Sequence, residues 1–310
     1  MTPRHSPRWR IALSRVLWRP WLVLMLWLLS LGSAAVAALP AGLSLYTTLA
    51  ERPAAVKLAR GQADVLRSEL FFVDGGSSAF GPMLLGSLFV GVVLFWLVHA
   101  LLSGGIVAAL LRPGHPAHAP PGRILIRAVE TGFAMLRLEL FGLFALRLPL
   151  CMLIGAGAYV LTLRPELLEL SPQALVVRFA PLAVLFFWLW SATSVVLHYA
   201  RMLRLDGGAE LSTGAALQGG LQLATRSRRG LSATLGLGLV SILGYGLLLG
   251  LGHLAAAALD QALYVGTAFV VRQLFALVRA VLSLFIIAGA TEVFHDLSGP
   301  RSARTPSSGL

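Results

Sequence analysis

Arg147, Arg272 and Arg279 interrupt runs of apolar residues long enough to cross a membrane, and a guanidinium in such a place needs a physical reason. Placing an arginine at mid-bilayer costs about 3 kcal/mol even on the lenient insertion scale. The long side-chain stem allows one answer, in which the guanidinium snorkels to an interface and bonds helix carbonyls. The other answer is an electropositive, partly hydrated cavity, where the planar fork of each guanidinium receives phosphate or another anion. Seven residues separate Arg272 from Arg279, so the two share one helical face. No Asp or Glu falls inside the apolar stretches delimited below. The three arginines are therefore expected to converge on one site for an anionic headgroup, an acidic phospholipid first and a transported anion second.

His99 and His198 occupy corresponding inner ends of the second and fourth apolar stretches. Imidazole titrates near neutrality, which makes a proton relay one reading and a locally hydrogen-bonded interfacial histidine the other. His115 and His118 lie among prolines with no Cys, Asp or Glu beside them, so they lack the donor set that a metal requires. The glycines around Gly75, Gly207 and Gly219 have neither the Gly-Lys-Ser/Thr ending of a phosphate loop nor the Gly-x-Ser-x-Gly of a hydrolase elbow. Cys151 is alone, so no intrachain disulfide forms. Nucleophile, base and metal ligands do not occur together; the expectation is a protein that is not an enzyme and carries no cofactor or metal.

The elements that hold these residues are membrane helices. Hydrophobic residues make up 57% of the 310 and charged ones 12%, and the mean hydropathy is +0.81. That leaves too little polar surface to coat a soluble globule of this size. Apolar stretches at 21–46, 83–111, 140–163, 179–200, 231–259 and 262–291 each meet the roughly 20 residues that a helical span needs. They predict an all-α polytopic fold, a single six-helix domain over 1–297 followed by a disordered tail at 298–310. The small residues Ser33, Ala34, Ala35 and Ala37 resemble a signal cleavage region. The apolar run continues beyond them to Leu45 and Tyr46, so the first stretch is expected to stay as an anchor.

A net charge of +12 raises the question of nucleic acid, but the arginines cluster in segments that flank apolar runs, as the positive-inside rule requires. The amino terminus and the segments 112–139 and 201–230 are arginine-rich, whereas 47–82 and 164–178 balance their charges. Six crossings then leave both termini in the cytoplasm.

Short amphipathic patterns at Trp9 to Leu17, Arg123 to Val129 and Ala215 to Leu223 precede the first, third and fifth stretches. They predict three repeats, each a surface helix on the cytoplasmic face followed by a hairpin of spans. Pro113, Pro116, Pro120, Pro121 and Gly122 predict an irregular connection over 112–122, and Asp206-Gly207-Gly208 predicts a turn. Pro149 is a candidate interruption of the third span. Glycines crowd the fifth stretch, and Gly246 with Gly250 forms a Gly-x-x-x-Gly pair that marks a packing face, with a helix of the same chain favoured over a second subunit.

The run Val196-Leu197-His198-Tyr199-Ala200-Arg201-Met202-Leu203-Arg204-Leu205, with the amphipathic segment and hairpin that follow, resembles an uncharacterised family of bacterial six-span membrane proteins. In that family an Asp-Tyr-Ala-Arg-like motif precedes a surface helix; here His198 stands where the acid is frequent. More loosely, the chain is similar to the membrane domain found beside some glycerophosphodiester phosphodiesterases. The resemblance implies a fold and no activity. The expected function is that of a non-enzymatic inner-membrane protein that binds lipid, or serves as a membrane component of a transport or envelope assembly. A membrane-protein partner or a homo-oligomer fits either role, and nucleic acid fits neither. A permease for an anionic solute is the alternative, and an intramembrane enzyme the weaker one.

Overall fold

The computed structural model describes residues 8–49, 77–111, 121–162, 172–259 and 265–298. Among these residues there are helices and no strand. The helices are α1 (Arg8–Leu17), α2 (Pro20–Leu49), α3 (Ser77–Leu111), α4 (Pro121–Gly142), α5 (Leu148–Thr162), α6 (Pro172–Asp206), α7 (Thr213–Thr225), α8 (Arg228–Leu259) and α9 (Val265–Ser298). Among the described residues, six segments are long and apolar enough to cross a membrane: Pro20–Pro40, Leu85–Leu111, Gly122–Val160, Arg178–Asp206, Arg228–Ala255 and Val270–Ser298. Large apolar side chains such as Phe89, Met152, Leu153 and Leu249 are exposed along them. Water would penalise that surface and lipid does not, so the chain is read as a multi-pass membrane protein.

The expected surface helices are realised unequally. A turn at Trp18 and Arg19 separates α1 from α2, and α7 is likewise distinct from α8, with Ser212 capping it by accepting from the Ala215 N–H. The second is not a separate helix. Pro121 starts α4, where its missing N–H and fixed φ suit the first helical turn, and α4 continues through a π turn at Leu143–Arg147 into α5. The irregular connection expected up to Gly122 therefore ends earlier, and its remainder, 112–120, lies outside the described residues. So do most of the outward loops expected at 47–82 and 164–178, and the tail beyond Ser298.

Pro149 does not interrupt the third span. The proline cannot donate to the Ala145 carbonyl and its ring crowds that oxygen. The π turn lies immediately before it, with the Leu148 N–H bonded five residues back to the Leu143 carbonyl, and the helix carries on. After α6 the chain does turn as expected, with Gly208 at φ +64°, a conformation that costs glycine little.

The described residues group into two compact units. The first draws on Met1–Val23, Ala100–Leu249 and Val281–Leu310; the second on Leu24–His99 and Gly250–Ala280. In the first, glycines let helix backbones approach. Gly105 faces the Ile124 carbonyl and Ala128, joining α3 to α4, and Gly142 faces Leu197, joining α4 to α6. A Cβ at Gly220 would stand 2.8 Å from the Val196 carbonyl, so α7 lies directly against α6 with Ala216, Gly220 and Ala224 on its buried face. Gly238 approaches Ala192, and the Trp188 indole donates to the Leu235 carbonyl at 3.0 Å, fastening α8 to α6. Tyr245 and Ser283 share a hydrogen bond of 2.7 Å between α8 and α9. Leu138, Leu197, Ala200, Ala216 and Leu217 form the core around which α4, α6 and α7 meet.

Among the described residues, the Gly246 and Gly250 pair does not make the intrachain contact expected of it. Both glycines are exposed, and no described heavy atom lies within 4 Å of where a Cβ would stand. Gly238 and Gly244 serve instead, because they face α6 and the Leu282 side chain of α9.

The second unit contains the stretches of α2, α3, α8 and α9 that lie within its limits. Ser33 and Ser87 are buried within it, and the Phe95 ring stacks on His99 with centroids 5.9 Å apart.

Candidate functional site

Glu139 is the centre of a buried ionic cluster. It precedes the apolar stretch 140–163 by one residue and is 3% exposed on the core-facing side of α4. Its Oε1 accepts from Arg201 Nη2 on α6, and its Oε2 faces Arg147 Nη1 at 3.6 Å. The expectation that no acid within a span is available to Arg147 is thereby corrected, since the span Gly122–Val160 contains Glu139.

Arg147 ends the π turn, and that turn aims it. Eight residues of regular α-helix would carry Arg147 about 80° past the direction of Glu139; the additional residue of a π turn takes back about 100° and leaves the two nearly in line. Arg147 Nη2 also donates to Ser194 Oγ at 2.9 Å, and its guanidinium lies 4.8 Å from the Trp190 ring centroid. Its side chain keeps 12% exposure. The flanking Phe144 and Leu148 are exposed apolar residues, a surface suited to lipid.

On α6 the partners form a stripe. Trp190, Ser194, His198 and Arg201 follow at intervals of four, four and three, one helical face over about 16 Å of rise. Arg201 Nη1 and His198 Nδ1 are 2.8 Å apart. A guanidinium only donates, so Nδ1 accepts and the neutral ring carries its proton on Nε2. Arg201, His198 and Glu139 are all buried. Two guanidiniums share one carboxylate, which leaves a single positive charge over. The Nε groups of both arginines are buried without a hydrogen-bond partner among the described residues.

A second polar knot in the same unit caps α3. The last carbonyls of a helix have no intrahelical donor. Here Arg19 donates to the Ala109 carbonyl, Arg15 to that of Leu110 at 3.2 Å, and His295 Nε2 stands 3.1 Å from that of Leu111. Cationic side chains also suit the negative end of the helix dipole. Glu292 balances Arg15 at 2.7 Å. Burial first, and the Arg15 charge second, lower the pKa of the Arg19 guanidinium from its ordinary value.

Arg272 and Arg279 are both exposed on α9, in the second unit, whereas Arg147 belongs to the first. His198 is a partner of Arg201, and His99 is the half-buried partner of Phe95 in the second unit. No group of three His, Cys, Asp or Glu able to hold a metal occurs among the described residues. Glu139 and Ser194 are not among the residues that the sequence singles out, and Arg201 enters there only within the run that carries the resemblance. The signal was there in the polar residues at helical spacing along 190–201, and in an acid adjoining an apolar run. No family model, curated protein or solved structure matches the chain.

Proposed function

We propose that this chain is a non-enzymatic multi-pass protein of a bacterial cytoplasmic membrane, with both termini on the cytoplasmic side, that holds an anionic phospholipid headgroup at Arg147. The observation that carries this reading is the sharing of Glu139 between Arg147 and Arg201, which leaves an unbalanced positive charge beside the exposed apolar Phe144 and Leu148. A guanidinium there gains from a phosphate, because its charge is poorly hydrated and its fork matches two phosphate oxygens. Exposed arginines at 123, 127, 137, 226, 228 and 229 alternate with exposed apolar residues such as Ile126, Val129 and Phe133. That mixture suits immersion among acidic headgroups on the arginine-rich side of the membrane. Arg272, exposed on α9, offers a further guanidinium to headgroups. The protein acts alone, as a homo-oligomer or as the membrane component of a transport or envelope assembly.

A second reading, a permease for an anionic solute, draws on one observation. Ser194, His198 and Arg201 continue the polar stripe from Arg147 through the buried side of α6. Native mass spectrometry of the protein in mild detergent tests the first reading. Phosphatidylglycerol retained by the wild type and lost from Arg147→Gln supports it; equal retention by both overturns it.

A further inference from the structure

We infer that Glu139 sets the charge selectivity of the Arg147 site, tuning it to a singly charged phosphodiester headgroup rather than a doubly charged phosphomonoester. This inference rests on the lipid reading of Arg147 and assigns to Glu139 a role that reading does not require.

Charge balance is the basis. Arg147 and Arg201 contribute two positive charges, Glu139 removes one, and His198, accepting at Nδ1 from Arg201, contributes none. One phosphodiester neutralises the remainder; a second negative charge would enter a low-dielectric site without a counter-charge. Geometry divides the work between the arginines. Arg201 is held on both sides, by Glu139 and His198, and is 3% exposed. Arg147 is the arm that a ligand reaches, since its contact with Glu139 is 3.6 Å and its side chain keeps 12% exposure. An incoming phosphate takes Arg147 while Glu139 stays with Arg201. The carboxylate then stands close to the bound phosphate and repels any charge beyond the first.

The experiment compares phosphatidylglycerol and phosphatidic acid, supplied together in nanodiscs of otherwise zwitterionic lipid, by the ratio retained on the full chain. Wild type is expected to favour phosphatidylglycerol. Glu139→Gln, which adds one unit of net positive charge, should move the ratio toward phosphatidic acid by roughly tenfold, as expected for one extra charge at several ångströms in a partly buried site. The double variant Glu139→Gln, Arg201→Gln restores the original net charge and should restore the preference for phosphatidylglycerol. A merely structural Glu139 would lower the retention of both lipids together and leave their ratio unmoved in Glu139→Gln, because a stranded Arg201 loosens the site without distinguishing one headgroup charge from another. Acidic lipid held in an Arg147-dependent manner at an unchanged ratio in Glu139→Gln would overturn the selectivity role alone. No Arg147-dependent retention of either lipid would remove the lipid reading itself. Displacement of both lipids by millimolar inorganic phosphate would reassign the ligand to a soluble anion and overturn the inference about headgroups.

Discussion

Glu139 and Arg147 face each other across 3.6 Å although a regular α-helix would turn them about 80° apart, and the π turn between them closes that angle. The turn lies directly before Pro149, whose missing donor favours a widened helix at that place. Pro149→Ala is therefore expected to let the turn tighten and to swing Arg147 away from Glu139. Lipid retention should fall about as far as in Arg147→Gln, with only a small change in unfolding temperature. Unchanged retention would show that the turn does not depend on the proline.

The pair of Glu139 and Arg201 predicts a pattern of stability. Removing one partner of a buried ion pair strands the other charge and costs about 3–5 kcal/mol, whereas removing both costs much less. Glu139→Leu and Arg201→Met should each destabilise strongly, and the double variant should be more stable than either. Denaturation in a defined detergent measures this. Additive losses in the double variant would mean that the two side chains do not act as a pair.

Glycines distinguish packed faces from open ones. Alanine at Gly220 meets the backbone of α6 at 2.8 Å and 2.9 Å, atoms that cannot turn aside, so Gly220→Ala should cost about 1–3 kcal/mol. Gly246→Ala enters open space within a helix and should be neutral or gain up to about 1 kcal/mol. The same detergent denaturation reads both. A destabilising Gly246→Ala beside a silent Gly220→Ala would reverse the assignment of the packing face, and loss of a dimer in Gly246→Ala would place a second copy there.

The proposed orientation puts residue 115 in the cytoplasm and residue 51 outside. Cysteine introduced at His115 in a Cys151→Ser background should resist a membrane-impermeant maleimide in intact cells, while one at Glu51 should react. Labelling at 115 alone would invert the protein.

Length and hydropathy made the six spans legible, because lipid demands an uninterrupted apolar helix whatever its neighbours. Burial of a charge does not obey that pattern. Apolar runs at 140–163 and 262–291 stop one residue short of Glu139 and Glu292, since an acid ordinarily ends such a run, and Arg147 therefore has no counter-charge in the pattern of the sequence. In the folded protein α4 and α9 run on through these positions, and neighbouring helices supply Arg201 and Arg15 as partners. Glycine packing was legible as a tendency of the fifth span, but which glycines touch depends on helix phase and on the partner's side chains. Gly238 and Gly244 met neighbours and Gly246 and Gly250 did not. The amphipathic period revealed α1 and α7, yet it does not say whether a surface helix ends before its span, and α4 does not.

The most direct test of the central claim is an experimental structure of the full chain in nanodiscs rich in phosphatidylglycerol. Headgroup density is expected with a phosphate oxygen within hydrogen-bonding distance of an Arg147 Nη, while Glu139 remains on Arg201. An Arg147 that keeps Glu139 and Ser194 as its only polar neighbours, with nothing but acyl chains along Phe144 and Leu148, would contradict it.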